Sequence, residues 1–347
     1  MTLMPKTQHK YLMYVEQNYS FEILQPIVDA IAREGSISAW YIHGNKANAK
    51  HLPENSVLLD SVDAVKTFNP RAVFVPGNVV PDFFPGIKVQ VFHGLEWKKK
   101  DHFRLRGFFD LYCTHGPITS EMFKQLSLKH PYYNVIETGW SKLDPLFSTT
   151  EIDKEQQDKL QILYAPTFSK SLTSTGALYA KIAQLSKTGR FNWKIRFHPK
   201  EDPQTVEKYK KLSGPNLSFD NNRDITLSLQ QSDILLSDTS SVVSEFLLLN
   251  KPAVTFDNKE PGDYIINITD ADKLEQALDL ASQPSQELHQ LIKGYNQQVH
   301  PYTDGSASER ILEAVEQCIQ IPAEKSKPLN LLRKLKIRRS HAYYKFK

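Results

Sequence analysis

Short runs of β-branched and aromatic residues alternate with helix-spaced segments along the 347 residues. The alternation is broken once, by the polar stretch TTEIDKEQQDK at 149–159. Before the break, YLMYV (11–15), AWYIH (39–43), AVFVP (72–76), KVQVFHG (88–94), LYCTHG (111–116) and VIETG (135–139) read as strands. Helical spacing marks 21–31, 60–68 and 117–127. After the break, QILYAPT (161–167), WKIRFHP (193–199), LSF (217–219), DILLSD (233–238) and AVTF (253–256) are strand-like. Helices are expected over 177–187, 203–212, 224–231 and 241–249, and two or three more end near Cys318. Strands alternating with helices signal parallel sheets covered by helices. The expectation is an α/β chain of two Rossmann-like domains facing a central cleft, spanning 1–148 and 149–322, with a tail at 323–347.

That tail holds most of what is unusual in the charge. The chain has 43 Lys and Arg against 39 Asp and Glu. Residues 325–347 contain nine of the basic residues and no acid, so the remainder carries 34 basic against 39 acidic side chains. A body with net negative charge argues against a nucleic-acid groove, and the basic end points to an anionic surface. The tail mixes Leu329, Leu331, Leu332, Leu335 and Ile337 with Lys and Arg and ends in Tyr343, Tyr344 and Phe346, a composition suited to an anionic bilayer. The first residues, MTLMPKTQHKYLMYV, have no long apolar core or small-residue cleavage site, so no signal peptide is expected. No uncharged stretch reaches the ~20 residues of a spanning helix. Cys113 and Cys318 form no metal spacing, so neither a zinc site nor a disulfide is expected, and a cytoplasmic setting follows.

Candidate site residues fall at the carboxyl ends of strands, where ligands sit in such sheets. His93 and Gly94 end one strand, with lysines at 98–100 following; the alternative is a surface turn with a solvated charge run. Thr167 ends LYAPT and offers a hydroxyl, or simply closes a turn. Arg196 and His198 share one face of KIRFHP, an arginine suited to phosphate and a histidine before Pro199. Ser237, Asp238, Thr239, Ser240 and Ser241 lead from a buried strand into an apolar helix. Unpaired N–H groups, a positive dipole end and hydroxyls together suit a phosphate; the alternative is helix capping. Arg310 lies in the first turn of a helix after Asp304–Gly305, held by an anion or by a carboxylate. Neither GxxxxGK[ST] nor GxGxxG is present.

In this order the motifs resemble the CDP-glycerol glycerophosphotransferases of teichoic acid synthesis. The matching residues are His93–Gly94 with Lys98, Tyr164 to Thr167, Arg196 to Pro199, Ser237 to Ser241 with Glu245–Phe246 and Lys251–Pro252, and Asp304–Gly305 with Ala307 to Arg310. Departures occur at Leu95–Glu96–Trp97, Phe168–Ser169–Lys170, Thr239 and Glu245. The resemblance implies a GT-B glycosyltransferase-type fold with acceptor on the N-terminal domain and nucleotide donor on the C-terminal one. It implies transfer of glycerol phosphate from CDP-glycerol to a hydroxyl of a lipid-linked or cell-surface glycan acceptor, CMP leaving. His93 would act as base, with Gly94 and Lys98 on the acceptor side. His198 and Arg196 would stabilise charge, and Thr167, Ser237 to Ser241, Glu245 and Arg310 would attend the donor. No metal and no cofactor are expected, and the protein would sit peripherally on the cytoplasmic face of the membrane through 325–347. A nucleotide-sugar or CDP-ribitol transferase shares this fold, and a non-catalytic membrane scaffold is the reading from another class.

Overall fold

The computed structural model describes residues 8–95, 97, 98, 100–148, 159–222 and 224–344. The expected linker 149–159 lies, Lys159 apart, outside them. The chain forms two α/β units, Met1–Phe147 with Val299–Lys347, and Ser148–Gln298.

The first unit runs β1 (Lys10–Val15), α1 (Tyr19–Arg33), β2 (Ile37–Ile42), α2 (Val62–Phe68), β3 (Ala72–Val75), β4 (Ile87–Gln90), β5 (Leu111–Thr114), α3 (Pro117–Lys129), β6 (Asn134–Glu137) and α4 (Asp144–Phe147). All six strands are parallel, in the order β2-β1-β3-β4-β5-β6. Tyr11 to Val15 are all buried. Uniformly apolar strands are what a parallel sheet covered on both faces requires. Ser61 caps α2 by accepting from the Ala64 amide.

The second unit runs β7 (Gln161–Tyr164), α5 (Thr175–Thr188), β8 (Asn192–Ile195), α6 (Pro203–Lys210), β9 (Leu217–Phe219), α7 (Thr226–Gln231), β10 (Ile234–Ser237), α8 (Val242–Leu247), β11 (Ala253–Phe256), β12 (Ile266–Ile268), α9 (Leu274–Ser282) and α10 (Gln286–Val299). Its sheet, also parallel, has the order β12-β11-β10-β7-β8-β9. This is the Rossmann order, whose direction reverses between β7 and β10. Strand β12 has no long apolar run and was not foreseen.

The C-terminal helices depart from expectation. Both α11 (Ala307–Gln320) and α12 (Leu331–Ser340) belong to the first unit, not to the second or to a detached tail. Helix α11 buries Ile311, Leu312, Ala314, Val315 and Cys318 and packs on α1, β4 and β5. The Asp144 carboxylate accepts from the Ala307 amide at 2.8 Å and the Ser308 amide at 2.9 Å, and so satisfies its first turn. Arg71 grips Glu316 with two nitrogens, at 2.7 and 2.5 Å. Ile337 and Tyr343 join the apolar core of the first unit. Lys327 pairs with Asp110 at 2.7 Å and Arg338 with Asp82 at 3.2 Å. Part of the tail's basic charge is therefore spent on docking. Leu329, Leu331, Leu332 and Leu335 stay exposed. Among the described residues, no helix is long and apolar enough to cross a membrane.

Candidate active site

In the second unit the carboxyl ends of β7 and β10 flank the point where strand order reverses. Asp238 lies there, fully buried. One carboxylate oxygen accepts from the Thr167 amide at 2.9 Å, the other from the Ser174 amide at 2.9 Å and the Ser174 hydroxyl at 3.0 Å. Burial lifts its pKa to about 6 despite these three bonds. Ser237 donates to the Ala165 carbonyl at 2.6 Å. Ser237 and Asp238 therefore tie two strand-end loops together instead of facing a ligand. Both residues are fully buried, and these bonds engage their side-chain oxygens. Thr239 accepts from the Lys259 amide at 3.0 Å and fixes the loop after β11. Glu245 is buried within α8. Ser240 is half-buried and Ser241 exposed; their hydroxyls are uncommitted among the described residues. Of the five-residue run, these two are the ones whose hydroxyls the scaffold leaves uncommitted among the described residues.

After β8, in the same sheet, His198 stacks on Phe168 with ring centroids 4.3 Å apart. Its Nδ1 accepts from the Lys200 amide at 3.1 Å, which leaves the proton of the neutral ring on Nε2. Partial burial, and then the Lys200 charge, push the imidazole below its ordinary pKa. His198 is thus a neutral donor held in place by an aromatic ring that stands at a departure from the family pattern. The expected partner of Arg196 is corrected. Its guanidinium binds Asp220 at 2.6 Å and the Asn222 carbonyl at 2.8 Å. Burial alone would raise the Asp220 carboxyl, but Ser228, the Asn222 amide and Arg196 hold it below the usual range.

In the first unit, His93 follows β4. Its Nδ1 lies 3.1 Å from the Pro76 carbonyl, which can only accept, so the lone pair is on Nε2. The exposed imidazole stacks on Tyr19 at 5.4 Å. Phe92, just before it, has φ 59°, a left-handed conformation that a bulky residue adopts only under constraint. The Phe92 ring is buried and stacked on His102 at 4.9 Å. This inward anchoring turns His93 out at the strand end. Gly94 is half-buried, and Lys98 is exposed with its ammonium 5.6 Å from the Trp97 ring. Arg310, assigned from sequence to the donor side, is in the first unit. It donates to the Thr138 carbonyl at 2.7 Å and to Asp304 at 2.7 and 3.2 Å, and lies 4.0 Å over Tyr302. Its role is to pin α11 to the end of β6.

Glu16, Tyr19 and Lys200 were not singled out from the sequence, and Phe168 stood there only as a departure from the family pattern. The available signal was position, since Glu16 follows the first strand and Phe168 follows β7. Among the described residues, no group of three or more His, Cys, Asp or Glu could hold a metal ion.

No curated protein matches the chain by sequence. Among solved structures, a Listeria monocytogenes protein described as a UDP-N-acetylglucosamine 2-epimerase is similar at 16% identity and TM-score 0.66, over 93% of this chain and 100% of that one. The wall teichoic acid polymerase TagF matches at 16% identity and TM-score 0.65, over 90% of this chain and 89% of TagF. A UDP-GlcNAc 2-epimerase from Neisseria meningitidis bound to UDP-GlcNAc matches at 16% and 0.62, over 89% and 100%. At such identities the likeness shows the fold, an α/β chain of the GT-B type with two Rossmann-like units. A family model, CDP-glycerol:poly(glycerophosphate) glycerophosphotransferase, matches residues 98–317. The chain therefore belongs to the CDP-glycerol:poly(glycerophosphate) glycerophosphotransferase family and is an enzyme of that type.

Proposed function

We propose that this enzyme moves glycerol phosphate from CDP-glycerol to a hydroxyl of a lipid-linked or cell-surface glycan in teichoic acid or related envelope-polymer synthesis. The acceptor oxygen attacks the phosphorus that carries glycerol. The new P–O bond forms as the bond to the CMP phosphate breaks, and CMP departs with that electron pair. His93 Nε2 takes the acceptor proton. The observation that carries this reading is the Pro76 carbonyl on His93 Nδ1, which keeps the Nδ1 proton engaged and leaves Nε2 as the nitrogen that can accept one. On the donor unit, His198 Nε2–H and the hydroxyls of Ser240 and Ser241 hydrogen-bond phosphate oxygens, with Lys200 adding positive charge. Such chemistry is chiefly positioning and electrostatics. The activated donor supplies its own leaving group, so the reading calls for no separate cofactor. The basic, leucine-bearing face of α12 supports peripheral attachment to the cytoplasmic face of the membrane. Incubation with CDP-glycerol, CDP-ribitol and UDP-sugars, with mass spectrometry of the extended acceptor, tests the assignment.

A further inference from the structure

The first sheet has its own reversal of strand order, between β1 and β3. Polar side chains follow one another along its carboxyl edge. In spatial order, His43 follows β2, Glu16 follows β1, Pro76 and Gly77 follow β3, and His93 comes after β4. Crevices of this kind are where open parallel sheets take ligands. The turn after β3 joins two groups. Pro76 holds His93, and a Cβ on the next residue, Gly77, would lie 3.4 Å from Glu16 Oε2. Tyr19, stacked on His93, also feels the Glu16 charge.

The C-terminal segment packs against this edge. His341 stacks on His43 with centroids 3.6 Å apart and planes 10° from parallel. Tyr41, Phe83 and Phe84 surround the pair. His341 Nδ1 is 2.9 Å from the Ile337 carbonyl and therefore holds the proton, leaving Nε2 as an acceptor. The Tyr14 hydroxyl lies 3.4 Å from both His341 Nε2 and Glu16 Oε1, and its one proton serves one of them at a time. Glu16, His43 and His341 are each only half-buried, so each keeps part of its side chain open to solvent at this edge. Burial raises the Glu16 carboxyl, with the Tyr14 hydrogen bond and the Lys46 charge opposing it.

We infer that Tyr14, Glu16, His43 and His341 form a hydroxyl-recognition site for the polyol end of the acceptor, and that the C-terminal segment completes it. A carboxylate and an imidazole acceptor set beside aromatic faces match vicinal hydroxyls on a C–H backbone. The site deepens the proposed transfer to a hydroxyl and rests on that reading. Glu16 is thereby a positioning residue that brings the acceptor oxygen toward His93. The segment that carries the exposed leucines also helps build the acceptor site.

The test is direct binding of synthetic tri(glycerol phosphate) to the full-length protein by calorimetry, which requires no turnover. The wild type should bind the probe without competition from CMP. Glycerol in excess should displace it and inorganic phosphate should not. Glu16→Gln and His341→Ala should each weaken binding at least 10-fold at unchanged CMP affinity, and His341→Gln should restore part of the loss. No binding by the wild type, equal binding by the variants, displacement by phosphate alone, or tighter binding by His341→Ala (a plug, not a part of the site) each overturn the inference. Failure of the transferase reading is separate, and would show as no CMP release from CDP-glycerol while the binding pattern holds.

Discussion

His93 and His198 both stand at strand ends, yet the backbone group on each Nδ1 assigns them opposite work. A carbonyl on Nδ1 makes His93 an acceptor at Nε2, and an amide on Nδ1 makes His198 a donor there. His198→Ala should weaken CMP binding by about 10- to 100-fold, the range for a hydrogen bond to a charged group. His198→Gln should recover part of it, because it restores an N–H. His93→Ala should leave CMP affinity intact. Equilibrium binding of CMP to the three variants checks this, and equal losses in His93→Ala and His198→Ala would contradict the division. Both histidines were legible as strand-end residues beside glycine or proline. Their tautomers were not, because each depends on a backbone group that only folding brings near. Arg196 shows the converse, since its residue type suggested phosphate but Asp220, 24 positions away, claims the guanidinium.

Within the elements, the join between β7 and β10 depends on Asp238. Both of its oxygens accept from N–H groups, so an amide in its place turns a donor toward a donor. Asp238→Asn should cost on the order of 1–3 kcal/mol in thermal or urea unfolding. The penalty has a definite pH dependence. The folded carboxyl titrates at about 6, above its ordinary 3.8. Between those values the folded protein holds a proton that the unfolded chain has released. The group's contribution is therefore fully present near pH 4 and is lost as pH rises through about 6. The gap between wild type and Asp238→Asn should be largest near pH 4 and smaller at pH 7; a gap that grows with pH would contradict the assignment. The strands were readable because parallel sheets need continuous apolar runs. The run Ser237 to Ser241 was readable as a site only in part. Three of its five residues are drawn into scaffold bonds by burial or by the loop after β11, which no local pattern reveals.

At the scale of the molecule, the C-terminal residues do two jobs that composition alone merged into one. Ile337, Arg338, His341 and Tyr343 dock on the first unit, while Leu329, Leu331, Leu332 and Leu335 stay outside with Arg333, Lys336 and Arg339. An interleaved basic sequence looks like a tail until packing separates its faces. Each exposed basic residue near an anionic bilayer contributes about 1 kcal/mol, screened within roughly 8 Å at physiological salt. Replacing Leu331, Leu332 and Leu335 by Ser should reduce sedimentation with anionic vesicles, most clearly at high salt, at unchanged melting temperature. Unchanged sedimentation would place the membrane contact elsewhere. The central claim is glycerophosphoryl transfer with His93 as base, and the most direct measurement is CMP released from CDP-glycerol in the presence of a glycerol phosphate acceptor. The wild type should release CMP in step with acceptor extension, UDP-sugars should give no product, and His93→Ala should be slower by about 10²–10⁴-fold. Turnover of a UDP-sugar in place of CDP-glycerol, or a wild-type rate in His93→Ala, would contradict it.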